Sequence, residues 1–331
     1  MERIFNSYKK MKEAQKESSS VYKPSSLWQA QLNDSYSFIL ESTKENDIKK
    51  FHFFLSNFGS WKKYHGVATN VFMNKSNKTL IGRRYLKNVI FYRQLQMWKW
   101  FYNKRKHVRE LESPIFGNQS GSFIDGKFIG VISFFNEIYG SLLSGLVKDK
   151  KSPVIAELGA GSGNFAYYIL KHLENDCYVD FDLPETLCLG AYYLMMTWPD
   201  KKVLLYGEED YSEFSHTKYD LIFMPSFEIE KIGNNSIDIF INKNSLGEMT
   251  RKSARNYLKY ISQSSNYIFH MNHDVFPNVY SDGESGLLGY EYPISTDDFL
   301  LLFRYPDMGH MITKGGIDYS MDIFLYLYKR K

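Results

Sequence analysis

Residues 154–165 read VIAELGAGSGNF. A short apolar run ends in Glu157, and Gly159, Gly161 and Gly163 follow at alternate positions. Glycines so placed let a ligand approach the main chain closely. Between a strand and a helix, such a loop sits where open α/β sheets bind ligands. It is not a triphosphate-binding loop, because no Lys-Ser or Lys-Thr follows the glycines. The dinucleotide fingerprint is also broken, since Asn164 stands where its third glycine belongs. Glu157 is unwelcome beside a pyrophosphate and suits a ligand with a cationic, amino-acid-like end. The next strand, within YVDFDLPE, ends in Asp182, where a ribose-binding acid is expected. Asp180, two residues earlier on the same face, competes for that role. The bland alternative is that the glycines serve tight packing and Asp182 caps a helix. The ordered set of Glu157, three glycines and Asp182 argues against it.

A second group of reactive side chains follows the later strands. Glu248 comes after IDIFINKN, His270, Asn272, His273 and Asp274 end or follow NYIFHMNH, and His310 lies in DMGHM. An imidazole titrates near neutral pH and can take a hydroxyl proton. His273 is therefore the first candidate general base, with Asp274 as a neighbouring acid to orient it, and Glu248 is the second. The structural alternatives are a loop histidine bonded to backbone and a first-turn carboxylate favoured by the helix dipole. His270, Asn272, Asp274 and His310 are expected on the acceptor side. Asn272, His273 and Asp274 have suitable ligand atoms for a divalent ion, but no second cluster has ligand spacing, so no metal is expected. The two cysteines, Cys177 and Cys188, are too few for a disulfide framework or a Cys-based zinc site.

Residues 157–163, Glu-Leu-Gly-Ala-Gly-Ser-Gly, resemble the first motif of class I S-adenosylmethionine (SAM)-dependent methyltransferases. That resemblance implies SAM as cofactor, held by Glu157, Gly159, Ala160, Gly161, Gly163, Asn164, Asp182 and Leu183. At SIDIFINKNSLGEMT the chain resembles, more narrowly, a bacterial sugar O-methyltransferase family associated with surface-polysaccharide and glycan gene clusters. The run Met224-Pro225-Ser226-Phe227-Glu228-Ile229-Glu230 and the stretch LESPIFGNQSGSFIDGKFI are similar to it as well. Gly247 departs from the family, which often has a bulkier residue there. On this reading Ser226, Phe227, Asn244 and Ser245 lie beside the cofactor, and the acceptor is a sugar, nucleotide-sugar or glycan hydroxyl. An Asn/Asp-Pro-Pro-Tyr turn, usual for nucleobase amines, is replaced by Asn244-Ser245-Leu246-Gly247. The rival readings are O-methylation of a small aromatic or other natural product, and a catalytically silent SAM-binding interaction subunit.

These residues need a scaffold, and from residue 153 short β-rich runs alternate with helices. That pattern implies a Rossmann-like, mostly parallel sheet with helices on both faces. The tail HMITKGGIDYSMDIFLYLYKR reads as an antiparallel hairpin at the sheet edge. The expected division is a mainly helical region over 1–149, covering the pocket, and a SAM-binding domain over 150–331. Within the first, residues 1–24 read as a short polar helix and a Ser-rich linker, and 25–110 as helical. Residues 112–130 read as a turn-rich connector and 131–148 as a helix. The last carries Asn136 and Glu137 inside an apolar run, which suits a buried helix better than a membrane span. In RRYLKNVIFYRQLQMWKWFYNKRKHVRE, Phe91, Leu95, Trp98 and Tyr102 recur at helical spacing among Arg83, Arg84, Lys87, Arg93, Lys99, Lys104, Arg105, Lys106 and Arg109. Packing of the aromatic stripe with solvated charges is preferred over a surface for acidic glycans, lipid phosphates, membranes or RNA. A net charge of +4 is too small to suggest nucleic acid. The N-terminus MERIFNSYKKMKEAQKE has no apolar signal core. A cytoplasmic protein without a transmembrane segment is expected, with peripheral membrane contact and oligomeric state left open.

Overall fold

The structure, a computed structural model, describes residues 1–60, 80–209, 218–309 and 322–331, with 80–88 described by backbone alone. The N-terminal part holds α1 (Glu2–Glu17), α2 (Ser26–Asp34), α3 (Ser37–Lys44), α4 (Ile48–Ser56) and α5 (Leu80–Phe101). A hairpin of β1 (Gly121–Ile124) and β2 (Lys127–Gly130) follows, then α6 (Ser133–Val147). The remainder runs β3 (Val154–Leu158), α7 (Asn164–Leu170), β4 (Cys177–Asp182), α8 (Pro184–Thr197), β5 (Val203–Leu205) and β6 (Leu221–Pro225). It ends with β7 (Ile237–Lys243), α9 (Arg251–Ser264), β8 (Ser265–His273), β9 (Phe299–Pro306) and β10 (Ile323–Arg330).

The main sheet has the order β5-β6-β4-β3-β7-β8-β10-β9. Its neighbours from β5 to β8 pair in parallel, and β10 runs antiparallel to both β8 and β9. Every residue of β3, β4 and β6 is buried. Strands covered on both faces read as continuous apolar runs, which is how these appear in the sequence. The chain passes from β3 to β4 on one side and later returns to β7 on the other. The C-terminal end of β3 is therefore the topological switch point.

The antiparallel C-terminal hairpin is present, and residues 310–321 of the tail expected to form it lie outside the described residues. β10 is an interior strand, and its partner β9 comes from FLLLFRYP, upstream of the tail. Residues 112–130, read as a connector, contain the β1–β2 hairpin. Its two-residue turn is Asp125-Gly126, both at positive φ (51° and 75°), the geometry that Asp-Gly favours.

Helix α1 is less polar in effect than in composition. Ile4, Phe5, Tyr8 and Met11 form a buried stripe, and Lys12 pairs with buried Glu185 of α8 at 2.8 Å. These residues, Phe54 of α4 and Ile155, Tyr178 and Phe269 of the sheet belong to one apolar core. Along α5, Phe91 and Trp98 are buried and Leu95 packs against the same core, as does Tyr102 just past the helix end. The helix stops at Phe101, short of the basic stretch, where Asn103 and Lys104 both take positive φ. Glu137, the acid inside the apolar run, accepts from Trp98 Nε1 at 2.6 Å and from Lys106 Nζ at 2.7 Å. Among the described residues no helix is long and apolar enough to cross a membrane.

Candidate functional site

The glycine loop crosses the end of β3. Gly159, Gly161 and Gly163 all lie at positive φ (81°, 61° and 74°), where side chains are strained. A Cβ on Gly159 would fall 2.4 Å from Ser245 Oγ, so only glycine fits there. The loop rests on a ladder of buried amides. Asn272 Nδ2 donates to Asn242 Oδ1 at 2.9 Å, and Asn242 Nδ2 donates to the Leu158 carbonyl at 2.8 Å. Ser245 Oγ donates to the same carbonyl at 3.0 Å. Asp182 grips the loop from β4. Its Oδ2 accepts from Gly161 N at 3.0 Å and its Oδ1 from Leu183 N at 2.7 Å.

A cavity of about 580 Å³ opens over this loop. Glu157, Gly159, Ala160, Gly161, Asn164, Asp182 and Leu183 line it, as do Ser226, Asn244 and Ser245. Gly163 and Phe227 do not. Gly163 packs towards Leu194 of α8, and Phe227 sets its ring edge-on to Tyr206. Burial pushes the carboxyl of Glu157 up to about 7, although Tyr178 donates to it at 2.7 Å. Burial likewise pushes Asp182 up to about 6. Asp180 is fully buried beneath them and outside the cavity lining.

Of the candidate bases, His273 and Glu248 both reach the cavity. His273 Nδ1 lies 2.6 Å from Asp322 Oδ2, just before β10. Burial works to raise Asp322, but the N–H of Phe276 and the His273 ring outweigh it and hold this carboxyl below its ordinary value. With Nδ1 so engaged, Nε2 is the ring atom left to act. Glu248 accepts from Trp28 Nε1 at 2.7 Å, and burial pushes its carboxyl up to about 7. Its backbone carbonyl accepts from Ser25 Oγ at 2.8 Å. Residues 22–25 and Trp28 thus close the cavity over the 3₁₀ turn Leu246–Glu248.

Three expected acceptor-side residues lie elsewhere. His270 is fully buried and stacks on Tyr326 at 4.4 Å between ring centroids. Burial drives its imidazole down to about 3, so it stays neutral. Asn272 is spent on the amide ladder and on Gly247 N, from which it accepts at 3.2 Å. Asp274, expected to orient His273, instead accepts from Tyr290 N at 3.0 Å, Tyr326 OH at 2.8 Å and Arg304 Nε at 3.1 Å. Strand alternation explains the difference: only every second residue of β8 can face the cavity. His310 lies outside the described residues. The residues that sequence reasoning missed are Asp322, Lys243, Asn136 and the covering 22–28 segment. Asn136 had a signal, as a polar residue in an apolar run. Asp322 had none, because it meets His273 across 49 residues of chain.

The sequence matches no protein-family model and no curated protein. Among solved structures it is similar to the mitomycin 7-O-methyltransferase MmcR, at 8% identity and a TM-score of 0.39, over 61% of this chain and 56% of that one. It is similar to the N-methyltransferase NodS from Bradyrhizobium japonicum WM9, in complex with S-adenosyl-L-homocysteine (SAH), at 12% identity and a TM-score of 0.39, over 59% and 87% of the two chains. A third is the [4+2]-cyclase SpnF, at 12% and 0.41, over 59% and 81%. The chain thus spans little more than half the length of the mitomycin enzyme. Likenesses this remote say nothing of the chemistry.

Proposed function

We propose that the protein is a SAM-dependent O-methyltransferase. The observation that carries this reading is one cavity with two unlike ends. At one end lie the glycine loop, Glu157 and Asp182. At the other lies the His273–Asp322 pair. The first end fits SAM by its chemistry. Ser245 fills the place a Cβ on Gly159 would take, and Gly159, Ala160 and Gly161 line the cavity for a ligand to meet. Asp182 keeps lone pairs beyond its two backbone bonds for a ribose diol, and Glu157 is a buried acid that a cationic amino group would help ionise. When bound, SAM supplies a methyl group activated by its sulfonium.

The chain's own part is alignment and proton transfer. Positioning a nucleophile for in-line displacement contributes up to roughly 7–11 kcal/mol in favourable systems. His273 Nε2 accepts the proton of a hydroxyl bound beside it. Asp322 fixes the ring's tautomer and stabilises the imidazolium that forms.

The acceptor we propose is a sugar or glycan hydroxyl, on the resemblance carried by residues 236–250. One feature favours a second acceptor, a small aromatic alcohol: Phe91, Phe135, Met271 and Ile323 make the acceptor end largely apolar. Assay of methyl transfer from labelled SAM to nucleotide sugars, glycans and phenols tests both. Methylation confined to phenols would remove the sugar reading. SAM binding without transfer to any acceptor would favour a silent subunit.

A further inference from the structure

The cavity also holds a cation, Lys243, between the glycine loop and His273. Lys243 ends β7, across the switch point from Asp182. Its Nζ donates to Asn136 Oδ1 at 2.6 Å and lies 4.9 Å from the centroid of the Phe165 ring. An ammonium has three N–H donors. Among the described residues Asn136 is its one hydrogen-bond acceptor, and no carboxylate comes within the 4.0 Å of an ion pair. Burial lowers its pKa, while Asp307 and Glu157 act on it from longer range. Phe165 flanks it and Met271 is its register partner, and Asp307 lines the same cavity. A buried ammonium with one of its three N–H donors bonded, and with these carboxylates only at longer range, is costly unless an anion meets it directly.

The register fixes how this cation stands to the base. Lys243 pairs with Met271 on β8, and His273 lies two residues further along that strand. One strand spacing across and two residues along separate their Cα atoms by roughly 8 Å. The two side chains can therefore address opposite ends of one small ring.

We infer that the acceptor is a hydroxy acid, whose carboxylate meets Lys243 while its hydroxyl faces His273. This deepens the methyl-transfer reading and rests on it. It embraces a uronic-acid sugar and an aromatic hydroxy acid alike, and it disfavours a neutral acceptor.

The test compares acids with their neutral counterparts on protein saturated with SAH. Glucuronate against glucose, and 4-hydroxybenzoate against 4-hydroxybenzamide, are titrated by calorimetry. At least one acid should bind tenfold or more tightly than its counterpart. Lys243→Met, which keeps the volume and removes the charge, should abolish that preference while SAH affinity changes less than threefold. Lys243→Gln is the second variant should the first not fold. The inference is overturned if the wild type prefers neither acid, or if the preference survives loss of the charge. It is also overturned if Lys243→Met weakens SAH tenfold, which would assign the amine to the cofactor's own carboxylate. Wild-type protein that fails to bind SAH would instead remove the methyl-transfer reading itself.

Discussion

The two ends of the cavity are built in opposite ways. The cofactor end comes from one βαβ unit, β3-α7-β4, and its loop, carboxylates and glycines lie within about 25 residues. The proposed acceptor end draws Asn136 from α6, Lys243 from β7, His273 from β8 and Asp322 from just before β10. A contiguous unit can be recognised from local spacing, because its backbone demands positive-φ glycines at fixed places. A dispersed one exists only once distant strands have paired. The difference separates what binds from what reacts, and substitutions at each end should have separable effects.

The largest expected effect lies at the acceptor end. His273→Ala should lower turnover by on the order of a hundredfold to ten-thousandfold, as loss of a positioned base does, with SAM affinity within a few-fold. Asp322→Asn should cost less, and adding it to His273→Ala should cost nothing more, since the two act as a unit. Additive losses would break the pair. Near-normal turnover of His273→Ala together with an inactive Glu248→Gln would move the base to Glu248.

A smaller effect, on binding and not on chemistry, is expected at the cofactor end. Asp182→Ala removes charge-assisted hydrogen bonds, each worth roughly 1.5–3 kcal/mol. SAM affinity should fall at least about tenfold, with the fold intact by circular dichroism. Unchanged affinity would shift the ribose role to Asp180 or discard it.

The smallest effect concerns the basic stretch, which belongs to neither end. Lys104 and Arg105 are exposed, so reversing both charges should leave turnover on a small acceptor nearly unchanged. Lys106→Glu should instead lower the melting temperature, because Lys106 faces the fully buried Glu137. A large, salt-dependent loss with a polymeric or lipid-linked acceptor alone would make the stretch a binding surface.

What the sequence made legible follows the same division. The buried parallel strands, the switch-point loop and Asp182 were readable because each has a local pattern. The place of β9 was not, since FLLLFRYP, the outermost strand of the described sheet, carries exposed leucines and lacks clean alternation. On β8, composition suggested His270, Asn272 and His273 for the cavity, whereas pleating delivers His273 and sends Asn272 and His270 to structural roles. Asp274 lost its expected role to Asp322 because Arg304 and Tyr326 of the antiparallel strands reach it first.

The central claim is that the glycine loop holds SAM and not a dinucleotide. Titration calorimetry of the purified protein with SAH, SAM and NAD tests it most directly. The expected result is saturable binding of SAH and SAM and none of NAD. Glu157 adds a pH signature. Its carboxyl titrates near 7 when free, and a cationic amino group favours the ionised form. Affinity for SAH should therefore be highest above that pH, weaken as pH falls below it, and be accompanied by proton release near neutrality. Tight binding of NAD with no response to SAH or SAM would contradict the account.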